Sequence, residues 1–234
     1  MRVIWITGAS TGIGFEIAKV FAKEGYSVVA TGRRKSRLVK LISEIKFAGF
    51  EGAAFVCNVQ SERSVFSTKR KILEKYGTID LLINNAGITV YKSFLDTKTY
   101  DFDNVIYTNL RGAFLTMKSV LPLMMKKKKG HIINILSVAV NTVFRDSSVY
   151  TASKAALYAM TNVLRDEIRN YNIKISNVMP GNVDTPMWDM RTRQRYHKRM
   201  MTPREVAELI LAVANQPKKI VVEDIIIRPI KGDL

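Results

Sequence analysis

Apolar residues along this chain fall into seven short runs separated by longer amphipathic stretches. Residues 3–6, 27–31, 53–56, 79–83, 132–136, 173–179 and 224–228 are predominantly apolar and often β-branched. Such runs suit strands buried on both faces of a parallel sheet. Between them, apolar positions recur at helical spacing. Ile17, Val20 and Phe21 mark one helix that stops at Gly25, and Leu38, Leu41, Ile42 and Ile45 mark the next. Ser61 can cap a third helix reaching about residue 76. Further helices are expected over residues 104–126 and from 150 to about 170. The last helix starts at Pro203, because Thr202-Pro203-Arg204-Glu205 is a capping box with proline at the first helical position. Residues 91–103 and 138–149 read as irregular. The stretch 187–201 mixes Trp, Tyr, Met and many cations between Pro186 and Pro203.

Length and composition narrow this picture. With 234 residues, 47% of them hydrophobic, the chain can bury one large core, and a single domain over residues 1–234 is expected. No repeat, low-complexity linker or domain boundary is visible. No apolar run approaches the roughly 18 to 20 residues that cross a bilayer, and the strand-like start resembles neither a signal nor a transit peptide. A lone cysteine, Cys57, excludes an intramolecular disulfide and fits a reducing, cytoplasmic setting. The net charge is +17, with clusters at 33–37, 126–129 and 191–204. Such an excess attracts polyanions, whether nucleic acid, acidic membrane, phosphorylated ligand or acidic protein. No zinc-finger or basic-zipper spacing accompanies it, and most of it reads as solvated surface. No metal is expected.

Three places carry chemistry. The first is Thr7-Gly8-Ala9-Ser10-Thr11-Gly12-Ile13-Gly14, between a strand and a helix. Small residues there let the backbone approach a pyrophosphate, whose charge the free N–H groups and the helix dipole stabilise. The second is Gly32-Arg33-Arg34-Lys35 after the second strand, with no acid between Tyr26 and Ser43. A dinucleotide site for NAD usually places an acid here for the ribose 2′-hydroxyl, whereas cations suit the 2′-phosphate of NADP. Arg33 and Arg34 are therefore candidate ligands, and NADP is expected in preference to NAD. The third is the stretch from residue 132 to 154. An apolar run leads into Ser137, Tyr150 follows thirteen residues later, and Lys154 stands one helical turn beyond Tyr150. A phenol with an ordinary pKa near ~10 is a poor acid–base group at neutral pH, and a fixed cation beside it favours ionisation.

These motifs, with Asn84-Asn85-Ala86-Gly87 after the fourth strand, Asn109, and Pro180-Gly181 with Thr185, stand in an order and spacing that resembles the short-chain dehydrogenase/reductase family. The resemblance covers nearly the whole chain. It implies a Rossmann-type, doubly wound α/β fold: a seven-stranded, mostly parallel sheet with helices on both faces. It also implies that Tyr150 is the general acid/base, Ser137 orients the substrate oxygen, Lys154 holds the nicotinamide ribose and lowers the tyrosine pKa, and Asn109 supports a proton-relay water. By the same resemblance Gly8, Ser10, Thr11, Gly12, Ile13, Gly14, Arg33, Arg34, Asn58, Val59, Asn85, Ala86, Gly87, Tyr150, Lys154, Pro180, Gly181, Val183 and Thr185 bind the cofactor. Some positions depart from the family pattern. Asn58 replaces a common Asp at the adenine, though its oxygen can still accept a hydrogen bond. Thr11 stands where NADP-preferring relatives often carry a base. Leu136 and Val140 replace a common Ser and Gly.

The expected activity is interconversion of a carbonyl and an alcohol in a small or medium-sized molecule with NADP(H). Alternatives are a 3-oxoacyl-carrier-protein reductase, whose acidic partner the basic residues near 187–204 would attract, and a dinucleotide-binding regulator without turnover. The intact Asn109, Ser137, Tyr150 and Lys154 set argues against the last. Substrate choice is expected from residues 87–100, 138–149 and a lid at 187–201. Met187, Trp188, Met190 and Phe144 suggest an apolar lining. Leu110, Phe114, Met117, Leu121, Leu157, Met160, Val163 and Leu164 form stripes too wide for one sheet face to cover. In relatives the two helices that carry them form a dimer interface, so a homodimer or a homotetramer is expected.

Overall fold

The computed structural model describes residues 1–234. Its seven strands are β1 (Val3–Ile6), β2 (Ser27–Gly32), β3 (Gly52–Val56), β4 (Leu81–Asn84), β5 (Gly130–Ile135), β6 (Ile173–Pro180) and β7 (Asp224–Ile227). They form one sheet in the order β3-β2-β1-β4-β5-β6-β7, parallel at every pairing. Eight helices flank it: α1 (Gly12–Lys23), α2 (Lys35–Phe47), α3 (Glu62–Tyr76), α4 (Thr99–Ile106), α5 (Gly112–Lys127), α6 (Ser148–Ile168), α7 (Met190–Tyr196) and α8 (Pro203–Ala214).

Alternation along the strands divides the core in two. Ile4, Ile6, Val28, Ile133 and Val178 face one side, where Phe21, Leu38, Leu41 and Ile210 from α1, α2 and α8 cover them. Trp5, Val29, Leu82, Ile132 and Ile175 face the other, under Ile72, Val120, Met124 and Leu157 from α3, α5 and α6. Because both faces are covered, the strands read as apolar runs rather than alternating ones.

Successive strands step outward from β1 to β3, then the chain returns to place β4 on the other side of β1. A crevice opens at such a reversal, beyond the C-terminal ends of the strands.

Most boundaries agree with the sequence reading to within two residues, and two stretches differ by more. The helix expected from residue 104 starts at Thr99 and continues to Lys127 through a π-helical turn at Tyr107–Arg111. Its first turn was hidden because Val105 is the only buried residue of α4, so no apolar stripe marks it. The Asp101 carboxylate caps the start by accepting from the Lys98 N–H at 3.3 Å. The stretch 187–201 is likewise ordered, as α7 and a 3₁₀ turn at His197–Arg199. Its far end is tied down by a bridge between Val183 and Met201.

Candidate active site

The loop after β1 is shaped by two glycines with left-handed backbone, Gly8 at φ +67° and Gly12 at φ +62°, a conformation that costs a residue with a Cβ. At Gly8 a Cβ would also lie 2.8 Å from the Cα of Ala86. That close approach is locked by Asn85, whose Nδ2 donates to the carbonyls of Thr7 and Gly8 at 3.0 and 3.1 Å. Thr7 Oγ1 accepts in return from the backbone N–H groups of Asn85 and Ala86 at 3.0 and 3.1 Å. The α1 N-terminus has no side-chain cap and no acid in its first turn. Its leading N–H groups therefore remain free and aimed at the crevice.

Arg34, at the end of β2, folds back on this loop and donates to Ser10 Oγ at 3.0 Å and Thr11 Oγ1 at 3.1 Å. Arg33 beside it is exposed. At the end of β3 the Asn58 side-chain oxygen accepts from the Gln60 N–H at 3.1 Å, so one of its lone pairs is already engaged.

On the other side of the crevice, β5 delivers Ser137 and α6 delivers Tyr150 and Lys154. Ser137 Oγ accepts from the Ala139 N–H at 3.1 Å and lies on the cavity wall with Tyr150, whose phenol it influences. Burial pushes the Tyr150 phenol up to about 12, against the opposing pull of Ser137. Lys154 Nζ donates to the Ile135 carbonyl at 2.7 Å and lies 5.7 Å from the centre of the Tyr150 ring. Burial alone brings its pKa down to about 8. The Lys154 ammonium is directed at the Ile135 carbonyl and is not among the causes of the Tyr150 shift, of which burial is the largest.

Three of the site residues named from the sequence do not line the crevice. Asn109 lies in the π-helical turn, where its Oδ1 accepts from the Ile88 N–H and its Nδ2 donates to the Ile88 carbonyl, both at 2.9 Å, and to Ser153 Oγ at 3.0 Å. It is buried behind Gly87, with its side chain committed to fixing the segment after β4, and does not line the crevice. Gly14 is also set back, packed against the Asn85 amide. Met190 is 74% exposed and faces solvent, whereas Met187, Trp188 and Phe144 do line the site.

All the other candidates converge on one cavity of about 930 Å³, which runs from Arg33 and Arg34 across the glycine loop to Ser137, Tyr150 and Lys154. The sequence reading named the segments 87–100 and 138–149 but did not single out Thr89, Tyr91 or Arg145 within them, nor Asn182 or Leu234. Tyr91 stacks on Trp188 of the 187–201 segment, with ring centres 5.7 Å apart and planes 19° apart. Thr89, Arg145, Asn182 and Leu234 also line it. Asp233 holds the turn after β6 by accepting from the Asn182 N–H at 3.2 Å, and it is ion-paired to Arg228. No sequence motif marks these residues; only the tertiary fold brings them together.

A parallel, doubly wound sheet with a glycine-rich crevice at its reversal point defines the Rossmann class. Residues 2–196 match the short chain dehydrogenase family, and the chain belongs to it. Among its relatives, the sepiapterin reductase of Chlorobaculum tepidum is 34% identical over 240 residues, covering 100% of this chain and 98% of that one. The fold is similar to the closed form of a serine dehydrogenase complexed with NADP+, with a TM-score of 0.93, 26% identity and coverage of 100% and 97%. It is also similar to an alcohol dehydrogenase of the archaeon Thermococcus sibiricus complexed with 5-hydroxy-NADP, with a TM-score of 0.91, 27% identity and coverage of 100% and 99%. No helix is long and apolar enough to cross a membrane.

Proposed function

We propose that this member of the family is an NADP(H)-dependent oxidoreductase that interconverts a carbonyl and a secondary alcohol by hydride transfer, with Tyr150 as the general acid/base. The observation that carries the reading is that Ser137, Tyr150 and the buried Lys154 line the same cavity as the glycine loop. The residues present fit the cofactor. The positive-φ glycines and uncapped α1 suit a diphosphate, and Arg33 and Arg34, with no acid among the cavity-lining residues, suit a 2′-phosphate. Complexes of the serine and alcohol dehydrogenases with NADP-type ligands support the same choice.

Bound nicotinamide supplies the hydride. The chain's own residues handle the oxygen, which gains negative charge as the carbonyl is reduced. Ser137 donates a hydrogen bond to it, and Tyr150 transfers its proton. A phenol held at about 12 is protonated at neutral pH, the form that reduction requires. Lys154 is placed to hold the ribose side. Asn109 acts as a positioning residue through Ile88. Residues 187–201 form a substrate lid, anchored by the Tyr91–Trp188 stack. The single buried Cys57 fits a cytoplasmic setting.

Tyr150→Phe keeps the ring and removes the proton. Turnover of a ketone panel, followed by NADPH absorbance, is expected to fall at least about 10²-fold, with NADPH affinity nearly unchanged. Activity close to wild type in this variant would remove Tyr150 from the mechanism.

A further inference from the structure

The cavity is lined by four cationic side chains, Arg33, Arg34, Arg145 and Lys154, and by no Asp or Glu. Three of the four have a task on the reading above. Arg33 and Arg34 stand at the end of β2 on the glycine-loop side, and Lys154 is bonded to Ile135 beside Tyr150. Arg145 remains. It belongs to the segment between β5 and α6, three strands away from Arg33 and Arg34 in the sheet order, on the side of Ser137 and Tyr150.

Arg145 is exposed and engages in no ion pair or hydrogen bond within the chain. The acids around the lid have other partners: Asp184 holds Arg193, Asp189 caps α7 through Thr192, and Asp233 holds Arg228. A second observation points the same way. Of the buried polar side-chain atoms in the molecule, two lack a partner, Asn182 Nδ2 and Thr89 Oγ1. Both residues line this cavity, Asn182 at 5% exposure. They stand at the ends of β6 and β4, on either side of β5. A buried amide donor without an acceptor is costly unless a ligand supplies one.

We propose that the substrate half of the cavity takes a carbonyl compound bearing an anionic group, a carboxylate or a phosphate ester, with Arg145 as its counter-ion and Asn182 as a further donor. This rests on the oxidoreductase reading. Guanidinium presents a planar fork that matches either anion. Tyr91, Trp188 and Phe144 enclose the carbon skeleton between that fork and the reacting oxygen.

The test uses matched pairs in which the charge is remote enough to leave the carbonyl's reactivity alike. These are 4-oxopentanoate and 5-oxohexanoate against their methyl esters, and dihydroxyacetone phosphate against dihydroxyacetone. With NADPH, the anion of at least one pair is expected to be favoured about tenfold or more in kcat/KM, and the favoured pair identifies the anion. Arg145→Gln is expected to erase the preference through KM with kcat little changed, and Arg145→Lys to restore part of it. Equal use of charged and neutral partners by the wild type, or a preference that survives Arg145→Gln, overturns the proposal. If no compound turns over, calorimetry on the NADPH-loaded protein separates the two readings. Binding of an anion that Arg145→Gln abolishes supports the site and counts against turnover, and absence of binding overturns the site itself.

Discussion

Arg33 and Arg34 are adjacent, yet only Arg34 is held by the loop it faces, through Ser10 and Thr11. That contact supplies the feature Thr11 lacks, because a cation from β2 reaches the place where a basic residue at position 11 would stand. NADPH is therefore expected to bind more tightly than NADH. A charge-assisted contact with the 2′-phosphate contributes about 1.5 to 3 kcal/mol, or roughly ten- to a hundredfold. The Arg33→Ala/Arg34→Ala double variant should lose most of that gap, with NADH affinity almost unchanged. Fluorescence titration of both cofactors checks this, and equal wild-type affinities would refute it. The Tyr150–Lys154 pairing was legible from the sequence because residues four apart share a helix face, and Ser137 joined it through the family resemblance. The direction of the Tyr150 shift was not, since it depends on how completely the fold removes water from the phenol.

Among the elements, the strands are joined by more than their backbone ladders. Asn84, Asn134, Asn177 and Asp224 occupy the same register on β4, β5, β6 and β7, and their side chains bond in a line. Asn84 Nδ2 donates to Asn134 Oδ1 at 2.9 Å, Asn134 Nδ2 to Asn177 Oδ1 at 3.1 Å, and Asn177 Nδ2 to Asp224 Oδ1 at 2.9 Å. Arg165 from α6 closes the row with an ion pair to Asp224 at 2.6 Å. Removing a central member strands both neighbours without water. Asn134→Leu is thus expected to cost about 2 to 6 kcal/mol, given about 1 to 3 kcal/mol for each of the two buried polar groups left unpaired. Urea unfolding measures the loss, and a shift below 1 kcal/mol would mean that the row contributes little. The strands themselves were readable because burial on both faces writes an apolar run. This row was not, because Asn134 and Asn177 are polar residues inside such runs and their pairing depends on register. The start of α4 was missed for the opposite reason, since a helix with one buried residue leaves no periodic stripe.

Viewed as a whole molecule, the chain leaves part of its apolar surface uncovered on one side. Of the stripe residues on α5 and α6, Met117 and Leu157 lie in the core at 2% and 1% exposure, whereas Phe114 and Val163 remain 43% and 62% exposed. Leu110, Leu121, Met160 and Leu164 are half-buried. A second copy applied about a two-fold axis would cover this face, with the exposed lysines at 126–129 kept to its rim by mutual repulsion. Light scattering at micromolar protein and moderate salt is expected to give a dimer or a tetramer, and Val163→Glu to weaken it without unfolding the subunit. A wild-type monomer under those conditions would dispose of the interface. The segment 187–201 offers a different opportunity. The chain has two tryptophans. Trp5 is sealed in β1 with its indole N–H on Thr31, while Trp188 rests on Tyr91 at the cavity mouth. Their emission should therefore separate by colour and by access to acrylamide, the sealed indole bluer and protected, the other redder and quenchable. The protein thus carries its own optical gauge of how residues 187–201 sit, readable in real time and without a label.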